Sequence, residues 1–449
     1  MSACVSDKQL AETTYFGGKI INPKDSKVFF YKNNQVIDSV TLSDKNKFSF
    51  KFDTIKEGLY TFMHGPEVQF IFIEPSDSLL LRLNTWDFDE SLVFSGRGAD
   101  KNNLMINLFL ANEKEDKLFY EYYTLKDSLF DLKVDSLLGV KRALLSTFKS
   151  ENTDISPLFE KYANAIIELP LYTKKEAYPY RYEKAHKLKE HHHVHPKFYK
   201  FRKTIDLEDD DLQSLYVFHD YVKTYLYHLS YEKQVISDHK EPMAVNFLQA
   251  VADHVSNEYL KNQLLDEGIW NVTLSDYLTE NQTEKAHQIF FEHCTNNQLT
   301  KNIEQMVKAK EHLPKNGNLP ELIVLNSFEN KVRINDVIKD AASVIYFWPK
   351  NYRQMDNMAK RVKYLENRYP SIQFIGVNAS HTPKDWMHYV NAYKLKEKTQ
   401  FKINSSLQND WLFVDHSRAI VIDKEGSVTN NFTHLSSRNI EYQLQKLLP

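Results

Sequence analysis

The chain has 449 residues, 57 of them Lys or Arg and 60 Asp or Glu, for a net charge of -3. That length has room for about three domains, and the balance of charge leaves no one-sided footprint for nucleic acid or an anionic membrane surface. No apolar run approaches the ~20 residues of a membrane helix, and only 11 glycines argue against Gly-rich nucleotide loops. The two cysteines, Cys4 and Cys294, are too far apart for a C-x-x-C motif or a cysteine-rich zinc site.

Residues 1–15 read as a tail. Ser2-Ala-Cys4 resembles the end of a bacterial lipoprotein signal, where a small residue precedes the cysteine that is lipidated. The resemblance implies a lipid on Cys4, although no apolar region stands upstream of it in this sequence.

Residues 16–98 read as β. Short runs rich in β-branched and aromatic residues (Lys27–Tyr31, Val36–Leu42, Lys47–Phe52, Gly58–Phe62, Val68–Ile73, Leu79–Leu83) are separated by turn residues. Phe48, Phe50 and Phe52 alternate with polar residues, which predicts one buried and one wet face. The expectation is an antiparallel sandwich or barrel. The segment resembles the N-terminal domain found ahead of exported thioredoxin-like proteins of Bacteroidetes-type bacteria, through Ile37-Asp-Ser39, Lys47-Phe-Ser-Phe50, Glu57-Gly-Leu-Tyr60, Glu74-Pro-Ser-Asp-Ser78 and Phe94-Ser-Gly-Arg-Gly98. That resemblance transfers no catalytic residue.

Residues 99–313 read as a helical domain of six to nine helices with no fixed repeat. Ser156-Pro157 is a helix start, with Ser as cap and Pro at the first position. Cys294 falls in a helical pattern and reads as a small buried residue. His191-His-His-Val-His195 is the most metal-like run in the chain. Its neighbours Lys187, Lys189, Glu190 and Pro196 read as a solvated polar loop instead, because dedicated metal sites draw ligands from separated, braced elements.

Residues 314–449 alternate between strand and helix signals: a linker to Pro320, strands at Glu321–Asn326 and Lys331–Ile334, a buried strand at Val344–Trp348, and a helix from Gln354 to Tyr369. A strand at Ser371–Asn378, a helix at Trp386–Leu395, a strand at Arg418–Asp423, a strand from Val428 and a helix at Asn439–Leu448 follow. A β-α-β-α-β-β-α order requires parallel strands joined by helical crossovers. Tyr346-Phe-Trp348, Phe374-Ile-Gly-Val-Asn378 and Ala419-Ile-Val-Ile-Asp-Lys-Glu-Gly426 resemble the exported TlpA-type thiol–disulfide oxidoreductases. The overall expectation is a multidomain chain with a β domain, a helical domain and a C-terminal α/β thioredoxin-like domain.

In that family a Cys-x-x-Cys follows the Phe-Trp, and a cis-proline precedes the later strand. Here the resemblance places Tyr352, Arg353, Gln354 and Met355 in the first position and Ser417 in the second. Disulfide exchange needs a thiolate to attack and a second thiol to resolve, which none of these supplies. Trp348, Lys350 and Arg418 are expected at a ligand rim, joined by Arg353, His381 and His416. Asp415-His416-Ser417 holds triad residue types, but adjacent residues do not converge as a triad. There is no phosphate loop, G-x-S-x-G or H-E-x-x-H. These residues point to a redox-inactive binding or scaffold module with a protein or peptide partner, no cofactor and no metal, and the resemblance implies a place in the cell envelope. The alternative is a thiol–disulfide or peroxide reductase acting through Cys294.

Overall fold

A computed structural model of the chain describes residues 13–33, 35–236, 241–275, 278–313, 315–349, 352–403, 418–437 and 439–448. The chain divides into two compact units, Met1–Leu260 and Lys261–Pro449.

The first unit begins with eight strands: β1 (Thr14–Ile21), β2 (Lys27–Lys32), β3 (Gln35–Thr41), β4 (Lys47–Phe52), β5 (Gly58–His64), β6 (Glu67–Ile73), β7 (Ser78–Asn84) and β8 (Val93–Arg97). They form two four-stranded sheets, ordered β4-β1-β7-β8 and β3-β2-β5-β6. Side chains two apart, such as Phe16 with Val28 and Phe30, Phe48 and Phe50, and Leu79, Leu81 and Leu83, meet in one core. This follows from the period of two in a pleated strand. The sheets are not wholly antiparallel, because β1 and β7 run parallel. The chain visits the whole second sheet between them, and that long excursion permits a parallel pair.

Helices α1 (Ala99–Asp116), α2 (Phe119–Tyr122), α3 (Asp127–Glu151), α4 (Pro157–His186), α5 (Tyr216–Ile236) and α6 (Met243–His254) follow. The α4 start forms as its sequence dictates, with the Ser156 hydroxyl accepting from the Phe159 amide at 3.1 Å and Pro157 in the first turn. Two prolines, Pro170 and Pro179, lie inside α4. Pro170 has no amide for the Ile166 carbonyl, which the Asn112 side chain satisfies instead at 3.2 Å.

Helices α7 (Glu258–Thr273), α8 (Glu280–His293) and α9 (Asn297–His312) lead into the C-terminal sheet. Its elements are β9 (Ile323–Leu325), β10 (Lys331–Arg333), α10 (Ile334–Val337), β11 (Ser343–Phe347), α11 (Tyr352–Arg368), β12 (Gln373–Asn378), α12 (Pro383–Ala392), β13 (Gln400–Ile403), β14 (Ala419–Ile422), β15 (Val428–Thr433) and α13 (Ile440–Lys446). The strand order is β10-β9-β13-β12-β11-β14-β15. Strands β11, β12 and β13 are parallel, while β9, β14 and β15 pair antiparallel. The central β-α-β and the closing β-β-α are as the sequence predicts. Strand β13 is an addition, because Gln400-Phe-Lys-Ile403 is short and half polar and carries a weak strand signal.

Every residue of β11 is buried. Val344, Tyr346 and Trp348 pack with Met355, Met358 and Val362 of α11, Trp386 of α12 and Ile440 of α13. Ile345 and Phe347 face the opposite core with Ile375, Val377, Phe401 and Ile420.

Candidate functional site

The carboxyl end of β11 is where three parallel strands finish together, the customary place for chemistry on such a sheet. The Trp348 amide donates to the Val377 carbonyl at 3.0 Å, and the Phe347 amide to the Arg418 carbonyl at 2.9 Å. Pairing therefore runs to the last residue before Pro349, which ends it for want of an amide.

The first turn of α11 occupies the position expected for a Cys-x-x-Cys. Tyr352 and Arg353 open the helix, and their side chains lie outside the described residues. Gln354 is exposed, and Met355 is 1% exposed within the core. That methionine packs; it does not present sulfur to a substrate. Asp356, next in the chain, pairs with Lys360 at 2.7 Å, one helical turn on. Lys350, Asp415, His416 and Ser417 lie outside the described residues, as does Cys4.

Of the expected rim, Trp348 and Arg418 are inside the domain and His381 is half-buried. Trp348 and Arg418 are each 1% exposed. The Arg418 guanidinium lies between two rings, 4.9 Å from the centroid of Phe347 and 4.6 Å from that of Phe432. Burial pushes its pKa down, to about 9. The sequence predicts a solvated Arg418 because an Arg beside a turn is usually exposed, and the two rings enclose it instead.

Trp348 belongs to a buried clasp that sequence reasoning missed. Its indole Nε1 donates to Gln400 Oε1 at 3.2 Å, and the Tyr346 hydroxyl donates to the same oxygen at 3.1 Å. Gln400 Nε2 donates in turn to Thr399 Oγ1 at 3.3 Å. Gly376 of the intervening strand makes room: a Cβ there would stand 2.0 Å from Gln400 Oε1 and 2.7 Å from the Tyr346 hydroxyl. The clasp ties β11 to β13 across β12, and burial raises the pKa of the Tyr346 phenol. The group is neutral and holds no nucleophile. Beside it, Asn378 pins the loop after β12, with Nδ2 donating to His381 Nδ1 at 2.8 Å and Oδ1 accepting from the His381 amide at 3.1 Å. Burial lowers the His381 pKa, so its ring is neutral at pH 7.

Cys294 caps the end of α8 and is 8% exposed. Its thiol lies 3.9 Å from the Asn296 carbonyl. Burial raises its pKa, the Asn296 backbone offsets part of that rise, and the nearby Asp266 charge adds a smaller one. A raised pKa keeps the thiol protonated and poorly nucleophilic.

The histidine run is a loop exposed at His193 and His195, as expected, but His191 and His192 are held against α4. Helix α4 ends on Lys187 in the left-handed region (φ 53°), which turns the chain back along it. Glu183 then receives His191 Nδ1 at 2.8 Å and the His192 amide at 2.8 Å on one oxygen, and the Tyr231 hydroxyl on the other. The polar composition that suggested solvent is used to satisfy a buried carboxylate. His195 Nδ1 accepts from the Lys197 amide at 3.2 Å and caps a short helix at Pro196–Thr204. Among the described residues no group of three or more His, Cys, Asp or Glu is placed to hold a metal ion.

Two turns back along α4, Glu176 is 1% exposed. Arg202 grips it through Nε at 2.9 Å and Nη2 at 2.6 Å, and the Tyr221 hydroxyl stands at 3.4 Å. His228 Nδ1 donates to the Glu176 carbonyl at 2.8 Å, and its Nε2 lies 3.2 Å from Glu232. Burial works against the Arg202 charge, yet its contacts with Glu176 hold the pKa above the usual value.

No protein-family model and no curated protein matches the chain. Solved structures match part of it. A Bacteroides vulgatus protein assigned to the thiol–disulfide oxidoreductases aligns at 24% identity over 30% of this chain and 98% of its own, with a TM-score of 0.28. The thioredoxin domain of a thiol–disulfide oxidoreductase of the same species aligns at 16% identity over 30% of this chain and 99% of its own, TM-score 0.27. A thiol:disulfide interchange protein from Bacteroides sp. aligns at 17% identity over 26% of this chain and 80% of its own, TM-score 0.24. Part of the chain has a thioredoxin-like fold. For the C-terminal sheet, that description stands on its strand order and directions.

Proposed function

We propose that this chain is an exported thioredoxin-like protein that holds a protein or peptide partner and carries out no disulfide exchange, anchored in the cell envelope through a lipid on Cys4. One observation carries the reading. The turn after β11 and the start of α11 contain no thiol, and the single sulfur there, on Met355, is packed into the core. A thioether has no proton to lose and cannot form or resolve a mixed disulfide. The fold is kept while its exchange chemistry is gone, which favours binding over turnover. The lipid anchor is supported by Ser2-Ala-Cys4 alone.

The competing reading, a reductase acting through Cys294, needs that thiol to react in the folded protein. In a Cys4→Ser variant, Cys294 is expected to resist an aromatic disulfide reagent until denaturant unfolds the chain. Fast stoichiometric labelling of the native variant, absent from Cys4→Ser/Cys294→Ser, overturns the non-redox reading. Incorporation of labelled palmitate by cells expressing the protein, lost in Cys4→Ala, tests the anchor.

A further inference from the structure

Helix α3 buries Phe130, Val134, Leu138 and Leu145 on one side. A second apolar stripe runs along its other side, with Leu129 51%, Leu132 64%, Val140 65% and Leu144 46% exposed. At 3.6 residues per turn these four, with Ser136, Gly139 and Ala143 between them, fall within a sector of roughly 140°. The outward face of a surface helix is ordinarily polar, and an apolar stripe there, broken on this helix by the exposed Lys133, marks an interaction face. Gly139 is a further sign. Nothing lies within 4 Å of a Cβ added there, so no neighbour in the chain requires glycine. A glycine inside an exposed helix costs about 1 kcal/mol against alanine. Close approach of a backbone from outside the chain gives it a use.

The charges flanking the stripe identify what approaches. Asp135 and Arg142 lie on one flank of the stripe, and Lys126 and Glu151 stand at the two ends of the helix. Laid antiparallel on a second copy of itself and centred beside Gly139, α3 sets Leu132 on Leu144, Lys126 opposite Glu151 and Asp135 opposite Arg142. Among the described residues, Lys126, Asp135 and Glu151 have no ion pair within the chain. Arg142 binds Glu168 at 2.6 Å and keeps half its side chain in solvent.

We propose that α3 is a homodimerisation helix, pairing with α3 of a second copy in antiparallel fashion about a two-fold axis beside Gly139. A self-complementary patch of this kind is what two-fold symmetry requires. The inference is independent of the function proposed for the C-terminal sheet.

Sedimentation velocity of the full-length protein, from low to high micromolar concentration, tests it. The wild type is expected to form a dimer, and Leu132→Asp/Val140→Asp to sediment as a monomer with unchanged circular dichroism, since both positions face solvent. Asp135→Arg sets like charges against Arg142 and is expected to weaken dimerisation by about tenfold. Asp135→Arg/Arg142→Asp is expected to restore it. A wild type that stays monomeric throughout, or a dimer indifferent to Leu132→Asp/Val140→Asp, overturns the proposal. A dimer that loses strength in Asp135→Arg and does not regain it in the double variant overturns the antiparallel pairing.

Discussion

Two of the buried polar regions among the described residues are built from opposite materials. At the end of β11, Tyr346, Trp348 and Gln400 form a neutral clasp in which hydroxyl, indole and amide satisfy one another. Between α4 and α5 the groups are ionic: Glu176 gripped by Arg202, and Glu183 holding the histidine run. The histidines, acids and arginine that a search for catalysis would select are therefore fastened to each other inside the helical region. At the end of β11 the described clasp is neutral and buried.

The largest expected effect tests the ionic region. Glu176→Gln leaves the Arg202 charge poorly compensated and is expected to lose about 3 kcal/mol of stability in urea unfolding. Glu176→Gln/Arg202→Met should recover part of that loss. No loss from the single variant would remove the contrast between the regions.

Next is the clasp. Gln400→Leu strands a buried hydroxyl and a buried indole N–H, with an expected cost of about 2 kcal/mol. Tyr346→Phe removes one partner cleanly and is expected to cost about 1 kcal/mol. Equal costs for these two variants would show that the oxygen of Gln400 is not the shared acceptor.

The smallest effects concern pH. The hydrogen bond from His228 lowers the Glu232 pKa, so the stability it lends is present above the usual carboxylate range and lost as pH falls below it. Burial lowers the His381 pKa, so its contribution is full above pH 6.5, the ordinary histidine value, and lost as pH falls from there. His381→Gln should flatten the stability profile just below pH 6.5, and Glu232→Gln only at more acid pH. Urea midpoints followed from neutral to acid pH separate the two.

Much of the fold was legible because its signals are local. The apolar run Val344–Phe347, the Ser156-Pro157 start and the Phe48/Phe50 alternation each rest on a few adjacent residues. What was not legible depends on distant partners. The parallel pairing of β1 with β7 spans some sixty residues of chain. Gln400 gives no signal until β13 brings it to Tyr346 and Trp348. Arg418 looked solvated until the Phe347 and Phe432 rings enclosed it, and His191 until α4 turned back on Glu183. Of the candidate site, the missing thiols were visible in the sequence and the clasp that lies behind them was not.

The central claim is that no group at the end of β11, nor Cys294, carries out disulfide exchange. Reduction of insulin by dithiothreitol in the presence of the full-length protein tests it most directly. Wild type and Cys294→Ser are both expected to leave the rate at that of dithiothreitol alone. A protein-dependent rate in the wild type would contradict the account, and its loss in Cys294→Ser would name the nucleophile.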